Sequence, residues 1–332
     1  MDSMQALPLV RKGGCLVKPI LTVSNASFQV RKQHILHGVD FTIGRGQIVG
    51  VLGASGCGKT SLLNLIAGIT RSTSGIVSVN YDGQETEIVG PGPDRGIVYQ
   101  AYGLYPFLTS VENVAFGLKL HLTTIPRRMW GQVTGFWRRL RREHLKHAEE
   151  LLVRFGLGDA VHKYPHELSG GMRQRVAIAQ ALIMKPQILL LDEPFGALDE
   201  ATREDLQRML LVLYEENIQA VGQGKPAPHT ILLVTHAISE AIFVGDRVMG
   251  LSRHWNWEEQ GFSSCPGATV VYDKVAPVFN STDSVDFEKF FGQKNEIAQL
   301  VFDEKVRVRP QDHCTFWSQV RVNHGHGVTH DV

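Results

Sequence analysis

From Leu21 to Val51 the chain carries short runs of apolar and polar positions, LTVSNASFQV, VDFTI and QIVGVLG, separated by Gly and polar turns. This is the pattern of β-strands. After Thr60 the apolar positions of SLLNLIAGI move to helical spacing, and IVSVN and GIVYQ predict two further strands. From about Thr109 to Met184 the signals are mostly helical. Strand signals return at QILLLDE, TILLVTH and DRVMGLS, and the apolar run in ILLLDEP is that of a central strand buried on both faces. A β-rich start, a helical middle and a return to apolar strands predict one α/β core with an inserted helical subdomain. Beyond about Trp255 the texture changes. SVDFEKFFGQKNEIAQLVFDE (284–304) has the spacing of one amphipathic helix, and the last two dozen residues are polar, as in a loose tail. Residues 1–20 read as a poorly ordered lead-in. No internal repeat is visible.

At 332 residues the chain is long enough for a large core and more than one subdomain. The formal net charge of +1 gives no global field that would favour nucleic acid or acidic lipid. No apolar run approaches the length needed to cross a bilayer. Pro8, Arg11 and Lys12 interrupt any secretory signal at the start. The four cysteines (Cys15, Cys57, Cys265 and Cys314) are scattered without a CxxC pair, which fits free thiols in a reducing cytosol.

Three stretches carry chemistry. Gly53, Ala54, Ser55, Gly56, Cys57, Gly58, Lys59 and Thr60 match G-x-x-x-x-G-K-[ST], between the strand QIVGVL and a helix that continues through Ser61. Glycines let the backbone curl so that its N–H groups face phosphate oxygens, and the helix N-terminus adds its dipole. Lys59 is expected to bridge the β- and γ-phosphates of ATP and Thr60 to hold Mg²⁺. A second stretch, ILLLDEP (188–194), ends a buried strand in two carboxylates. Asp192 is expected to orient Mg²⁺, and Glu193 to polarise the attacking water. The third is Ser169, Gly170 and Gly171, which open the helix MRQRVAIAQALIM and give a second anion-seeking N-terminus. Two such ends on one nucleotide would require the helical insert to fold back over the core. A two-fold dimer is simpler: each ATP is bound by the loop of one copy and capped by the Ser-Gly-Gly helix of the other.

LSGGM, RQRVAIAQAL and LLLDEPFGALD together resemble the nucleotide-binding subunit of an ABC transporter, over about Leu21 to Ser252. The resemblance implies a P-loop NTPase fold: a RecA-like α/β core with an antiparallel β-subdomain, a helical subdomain at about 105–185 and a C-terminal extension at 255–332. The ATPase domain would then be residues 21–254. It implies that Gln100, in GIVYQAYGLYPFLT, is the Q-loop glutamine that reaches Mg²⁺, and that Gly196, Ala197, Leu198 and Asp199 form the D-loop. It further implies that His236, in ILLVTHAISEAI, contacts the γ-phosphate; the plain reading of Gln100 and His236 is ordinary loop hydrogen bonding. Met172 after the glycines, DEPFGALDEATRE and THAISEAIFVGDRV are similar to importers of the nitrate, sulfonate and taurine type. The insert at 119–147 and GATVVYDKVAP resemble ATPases of urea-carboxylase-associated systems.

The chain also departs from the family. Val30 stands where the family stacks adenine on an aromatic; Phe28, two residues earlier on the same strand face, is either its substitute or a core residue. Ala237 follows His236 where Asp is common. PRRMWGQVTGFWRRLRREHLK (126–146) places Trp130, Val133, Trp137 and Leu140 at helical spacing among arginines. Such a helix either lies on a membrane surface or packs on its own subdomain with its arginines solvated. His324, His326 and His330 read as tail residues rather than a metal site. Cys57 predicts that a thiol reagent blocks ATP binding.

The function expected from these features is ATP hydrolysis that energises an importer for a small polar solute. The subunit would dimerise on ATP at the cytoplasmic face of the cell membrane and drive a separate permease, with a binding protein delivering the solute. The rival is a soluble ABC ATPase acting on ribosomes or DNA. The single cassette, the lack of sustained heptads and the near-zero charge speak against that and against nucleic acid as a partner. A simple P-loop kinase lacks a use for the Ser-Gly-Gly helix and His236.

Overall fold

The computed structural model describes residues 19–81, 83–121, 136–196, 198–276 and 286–316. Two compact units emerge, one drawn from the chain up to Gly92 and from Leu210 onward, the other from Pro93–Met209.

In the first unit, β1 (Pro19–Val30), β2 (Gln33–Gly44), β4 (Ser74–Tyr81) and the short β5 (Gln84–Glu87) form an antiparallel sheet in the order β2-β1-β4-β5. β3 (Ile48–Leu52) belongs elsewhere. It lies between β8 (Thr230–Val234) and β9 (Arg247–Ser252), parallel to both. Every residue of these three strands is buried, as their largely apolar composition demands, and the buried Arg247, Ser252 and Thr230 stand at strand ends. Helix α1 (Lys59–Ala67) follows β3, and α6 (Ile238–Val244) joins β8 to β9.

A tenth strand, β10 (Thr269–Val275), lies beyond the last strand that the apolar pattern predicts, and it pairs antiparallel with β9. Asp273 and Lys274 break its periodicity, and each has a partner. Arg247 donates from Nε to Asp273 Oδ1 at 2.7 Å and from Nη2 to Oδ2 at 2.6 Å. Its Nη1 donates to the Thr42 carbonyl at 2.6 Å, and the Phe316 ring lies 4.1 Å from its Cζ. Lys274 Nζ meets Glu296 Oε1 at 2.5 Å.

Glu296 lies on α7 (Phe287–Ile297), whose N-cap Asp286 accepts from the Lys289 N–H at 3.2 Å. The helix then widens into a π-turn, Ala298–Phe302. This turn sets Val301 against Gly250 of β9, where a Cβ would fall 2.4 Å from Val301 Cγ2. Ile297, Val301, Tyr272, Val248, Ala241 and Leu52 share one core cluster. Leu52 directly precedes Gly53, so the first glycine of the phosphate-loop motif follows a residue packed in the same layer as the C-terminal helix.

Asp246, at the start of β9, is buried and accepts from the Ile48 N–H at 3.2 Å. Burial pushes its carboxyl up to about 8, with the Arg247 charge opposing. The folded value exceeds the unfolded one, so the folded chain holds this proton longer. The stabilisation from the neutral acid is complete below about pH 4 and is lost as pH rises toward 8. Asp246→Asn is expected to flatten the fall in stability between about pH 5 and 8, measured by urea unfolding. An unchanged slope would remove Asp246 as its source.

In the second unit, β6 (Arg95–Val98) and β7 (Ile188–Asp192) run parallel. Helices α2 (Ser110–His121), α3 (Phe136–Arg154) and α4 (Gly170–Leu182) supply the predicted helical middle, and α5 (Glu200–Gly222) starts here. On α3 the exposed arginines find acids: Arg139 pairs with Glu143 at 3.3 Å and Arg141 with Glu112 of α2 at 3.2 Å. Exposed pairs of this kind add little stability.

Among the described residues no helix is long and apolar enough to cross a membrane, and no three metal-ligating side chains cluster. Trp130, Val133, residues 1–18 of the lead-in and the tail histidines His324, His326 and His330 lie outside the described residues, whereas Pro19 and Ile20, expected to belong to the loose lead-in, instead open β1, with Ile20 buried.

Candidate functional site

Within the first unit the phosphate-loop motif leaves the buried end of β3. Gly56 (φ 74°) and Gly58 (φ 111°) take left-handed backbone, which L side chains rarely adopt. That curl lets the Cys57 N–H donate to the Ala54 carbonyl at 3.2 Å. Lys59 is buried, and its Nζ donates back to the Gly53 carbonyl at 2.8 Å and the Ala54 carbonyl at 3.0 Å. The ammonium is therefore fixed over the inside of the loop. At the N-terminus of α1, Gly58 offers no side-chain cap, and no acid stands in the first turn. The positive end of the helix is thus left for an external anion. Ser55 and Thr60 are exposed beside it, and Ser61 and Ala54 are half-buried.

Cys57 is buried, and a Cβ on Gly53 would lie 2.6 Å from its Sγ. Burial pushes its thiol up, against the opposing charge of Lys59. The sulfur is thereby kept protonated and shielded, so a thiol reagent meets the less reactive form.

His236 is exposed just past β8. The turn beneath it is set by Thr235, which is buried and donates from Oγ1 to Glu240 Oε2 at 2.5 Å. The Ala237 N–H donates to the same Oγ1 at 3.1 Å. Sequence reasoning passed over Thr235 and Glu240. Their i, i+5 spacing across a strand-to-helix turn is the signal they left, and they hold the turn where Ala237 supplies no carboxylate. At the tip of β1, Val30 is 48% exposed, and Phe28 is half-buried with its partner position at Leu36 of β2.

In the second unit, strand register aligns the acidic pair and the glutamine. Val98 of β6 stands opposite Leu191 of β7, so Gln100 and Glu193 each follow two residues beyond a paired position. Both reach Gly196: a Cβ there would sit 3.7 Å from Gln100 Nε2 and 3.7 Å from Glu193 Oε2. Glu193 has φ 48°, a left-handed conformation uncommon for a residue with a side chain. Asp192 is buried next to it. Tyr99 is pushed up by burial and then by the Asp192 charge, which puts that carboxylate within electrostatic reach of the Gln100 loop.

The Ser-Gly-Gly helix begins where the sequence places it. Ser169 caps α4, its Oγ accepting from the Met172 N–H at 3.2 Å. Gly171 faces α5 so closely that a Cβ would lie 1.7 Å from Thr202 Cγ2. Thr202 is itself held by Asp199, which accepts from its N–H at 3.0 Å and its hydroxyl at 2.8 Å. These bonds keep the Asp199 carboxyl low. Leu198 and Asp199 are thus seated beside the Ser-Gly-Gly start, whereas Ala197 lies outside the described residues. Gly171→Ala is expected to cost about 1–3 kcal/mol by overpacking. Adding Thr202→Ser, which keeps the hydroxyl and removes Cγ2, is expected to restore most of it. Equal melting temperatures for Gly171→Ala and wild type would count against the contact.

The model of the ABC transporter family matches residues 36–196. The chain is 42% identical to the bicarbonate transport ATP-binding protein CmpC of Synechococcus elongatus over 81% of its own length, and spans 35% of the length of that relative. It is 41% identical to the taurine import ATP-binding protein TauB of Yersinia pestis, over 70% of this chain and 80% of that one. Among solved structures it is similar to the dimeric ATP-binding cassette MJ0796 bound to ADP and Pi. There the TM-score is 0.56 at 27% identity, over 77% of this chain and 98% of that one. With the phosphate loop, the acidic strand and the Ser-Gly-Gly helix all formed, and with 41% identity to a relative over 80% of that relative's length, the chain belongs to the ABC transporter family.

Proposed function

We propose that this chain is the ATP-hydrolysing subunit that energises an importer for a small polar solute. The observation that carries the reading is Lys59, buried and held by Gly53 and Ala54 over an uncapped helix N-terminus: a preformed cradle for phosphate. In this reading residues 53–61 bind the phosphates of ATP. Glu193 accepts a proton from the attacking water, with His236 and Gln100 at the γ-phosphate. Thr60, Gln100 and Asp192 are oxygen donors of the kind Mg²⁺ takes, and the ion, when bound, offsets phosphate charge. Ser169, Gly170 and Gly171 cap the nucleotide of a second copy, so that ATP holds two chains together and hydrolysis releases them. The dimeric state of the MJ0796 cassette is in keeping with this.

A separate permease is the partner that receives the work, with a binding protein upstream and this chain peripheral at the cytoplasmic face of the membrane. An aromatic surface on the second unit supports such a partner. Phe107 is 70% exposed and Tyr105 37% exposed. Both lie on a loop stiffened by buried Asn113, whose Oδ1 accepts from the Tyr105 N–H at 2.7 Å and whose Nδ2 donates to the Leu108 carbonyl at 2.9 Å. Aromatics held rigidly in solvent are the usual anchors of an interface. Relatives named for bicarbonate and taurine transport point to a small polar solute of the nitrate, sulfonate or taurine kind, or an amide-like one.

The test is affinity purification of the tagged chain from gently solubilised native membranes, with mass spectrometry of what accompanies it. A multi-span permease in equal amount is the expected result. Ribosomal or DNA-repair proteins instead would replace the importer with the soluble ATPase.

A further inference from the structure

We infer that Arg173 and Tyr102 form a positioning pair that ties the loop carrying Gln100 to the start of the Ser-Gly-Gly helix. The inference rests on the ATPase reading and adds to it a link between two of its working parts. Arg173, in the first turn of α4, donates from Nη1 to the Leu168 carbonyl at 2.9 Å and reaches the Pro165 carbonyl at 3.5 Å. These carbonyls belong to the segment that leads into Ser169. The same guanidinium stands over the Tyr102 ring, with Cζ 5.3 Å from the centroid. A guanidinium can do both because it is planar: its edge donates hydrogen bonds while its face stacks on an aromatic.

The backbone at Tyr102 is the independent observation. After β6 the chain turns sharply, with the Tyr102 N–H donating to the Tyr99 carbonyl at 3.0 Å and the Gly103 N–H to the Ala101 carbonyl at 2.7 Å. Tyr102 (φ 64°) and Gly103 (φ 69°) both take left-handed backbone. Glycine or asparagine meets that need with little strain. A tyrosine there is strained, and strain at a functional loop persists where the side chain is used. The use on view is the ring under Arg173. Gln100 lies two residues before Tyr102 and Ser169 four before Arg173, so one contact joins the glutamine that faces Glu193 across Gly196 to the helix start that caps a nucleotide. Displacing either member loosens both.

The experiment measures Mg-ATPase of the purified full chain at varied ATP. Tyr102→Phe keeps the ring and is expected to keep the wild-type rate. Tyr102→Leu and Arg173→Met are each expected to lower kcat about fivefold with a smaller change in KM for ATP, because the phosphate loop, the main nucleotide contact in this reading, is untouched. The double variant is expected to be no slower than the worse single, as for two residues acting through one contact. A wild-type kcat for Tyr102→Leu, losses that multiply in the double variant, or an equal loss in Tyr102→Phe would overturn the pair. Melting temperatures identify any variant that has unfolded. Should Tyr102→Leu unfold, Tyr102→His, which keeps an aromatic face, takes its place against Arg173→Met, with retention expected for the first and loss for the second. A wild-type chain that does not hydrolyse ATP at all would sink the ATPase reading itself, and this separates the two failures.

Discussion

Glu193→Gln is expected to bind ATP like the wild type and to lose about 10²–10⁴-fold in kcat, the usual contribution of a positioned general base. The geometry favours so clean a separation. The side chain projects from a left-handed backbone position directly after the buried end of β7, with Oε2 toward Gly196. Glutamine has the same length and the same single carbonyl oxygen for that contact, so the turn keeps its shape. What it lacks is a second lone-pair-rich oxygen able to take a proton from water. Lys59 and the glycine loop, which we propose hold the phosphates, belong to a different stretch of chain, and the substitution leaves them untouched. With binding kept and turnover blocked, the ATP-bound form should accumulate as a dimer, visible by size-exclusion chromatography with ATP and absent without it. Hydrolysis at the wild-type rate would mean that Glu193 is not the base.

The second large effect lies away from the nucleotide. Asp273→Ala is expected to destabilise the chain by about 3–5 kcal/mol, because it removes the carboxylate that grips the fully buried Arg247 guanidinium through two hydrogen bonds. The Thr42 carbonyl and the Phe316 ring are among the contacts that stay, and neither carries a full negative charge. Replacing both partners by apolar residues, Arg247→Met with Asp273→Leu, is expected to cost much less, since no charge is then stranded in the interior. Urea unfolding of the wild type and the two variants measures this through their midpoints. A single variant no worse than the double would show that solvent reaches Arg247.

The sequence made some of these features legible and hid others, for physical reasons. The phosphate loop, the acidic strand end and the Ser-Gly-Gly helix start were readable because each is a local motif, with its residues within one turn or one strand end. The central strands were readable because burial on both faces leaves a run of four apolar residues, as in ILLL of β7 and ILLV of β8. β10 was not, because two of its seven residues are charged and their partners come from distant segments: Arg247 lies 26 residues before Asp273, and Glu296 lies 22 after Lys274. The same holds for Asn113 and for the Thr235–Glu240 pair, whose roles depend on which backbone groups the fold brings within reach. The π-turn at Ala298–Phe302 was hidden in another way. The apolar spacing of 284–304 fits one continuous helix, and only the close approach of Val301 to Gly250 shows where the winding departs from it.

The outer edge of β10 has a consequence for how the chain behaves in company. An edge strand offers a row of unpaired N–H and C=O groups that other chains can pair with. Here part of that row is occupied: Cys314 bridges Asp273, with the Thr315 N–H donating to the Asp273 carbonyl at 2.9 Å, and the Cys314 Sγ lies 3.6 Å from the Val270 carbonyl. A few residues near the end of the described chain therefore act as a selvedge, stopping the sheet from being extended by a neighbour. Chains clipped after Arg309 are expected to present the backbone edge of this Val- and Tyr-containing strand as a template for self-association. Such clipping is expected to lower colloidal solubility, read by light scattering, more than it lowers the ATPase rate of the chains that stay in solution.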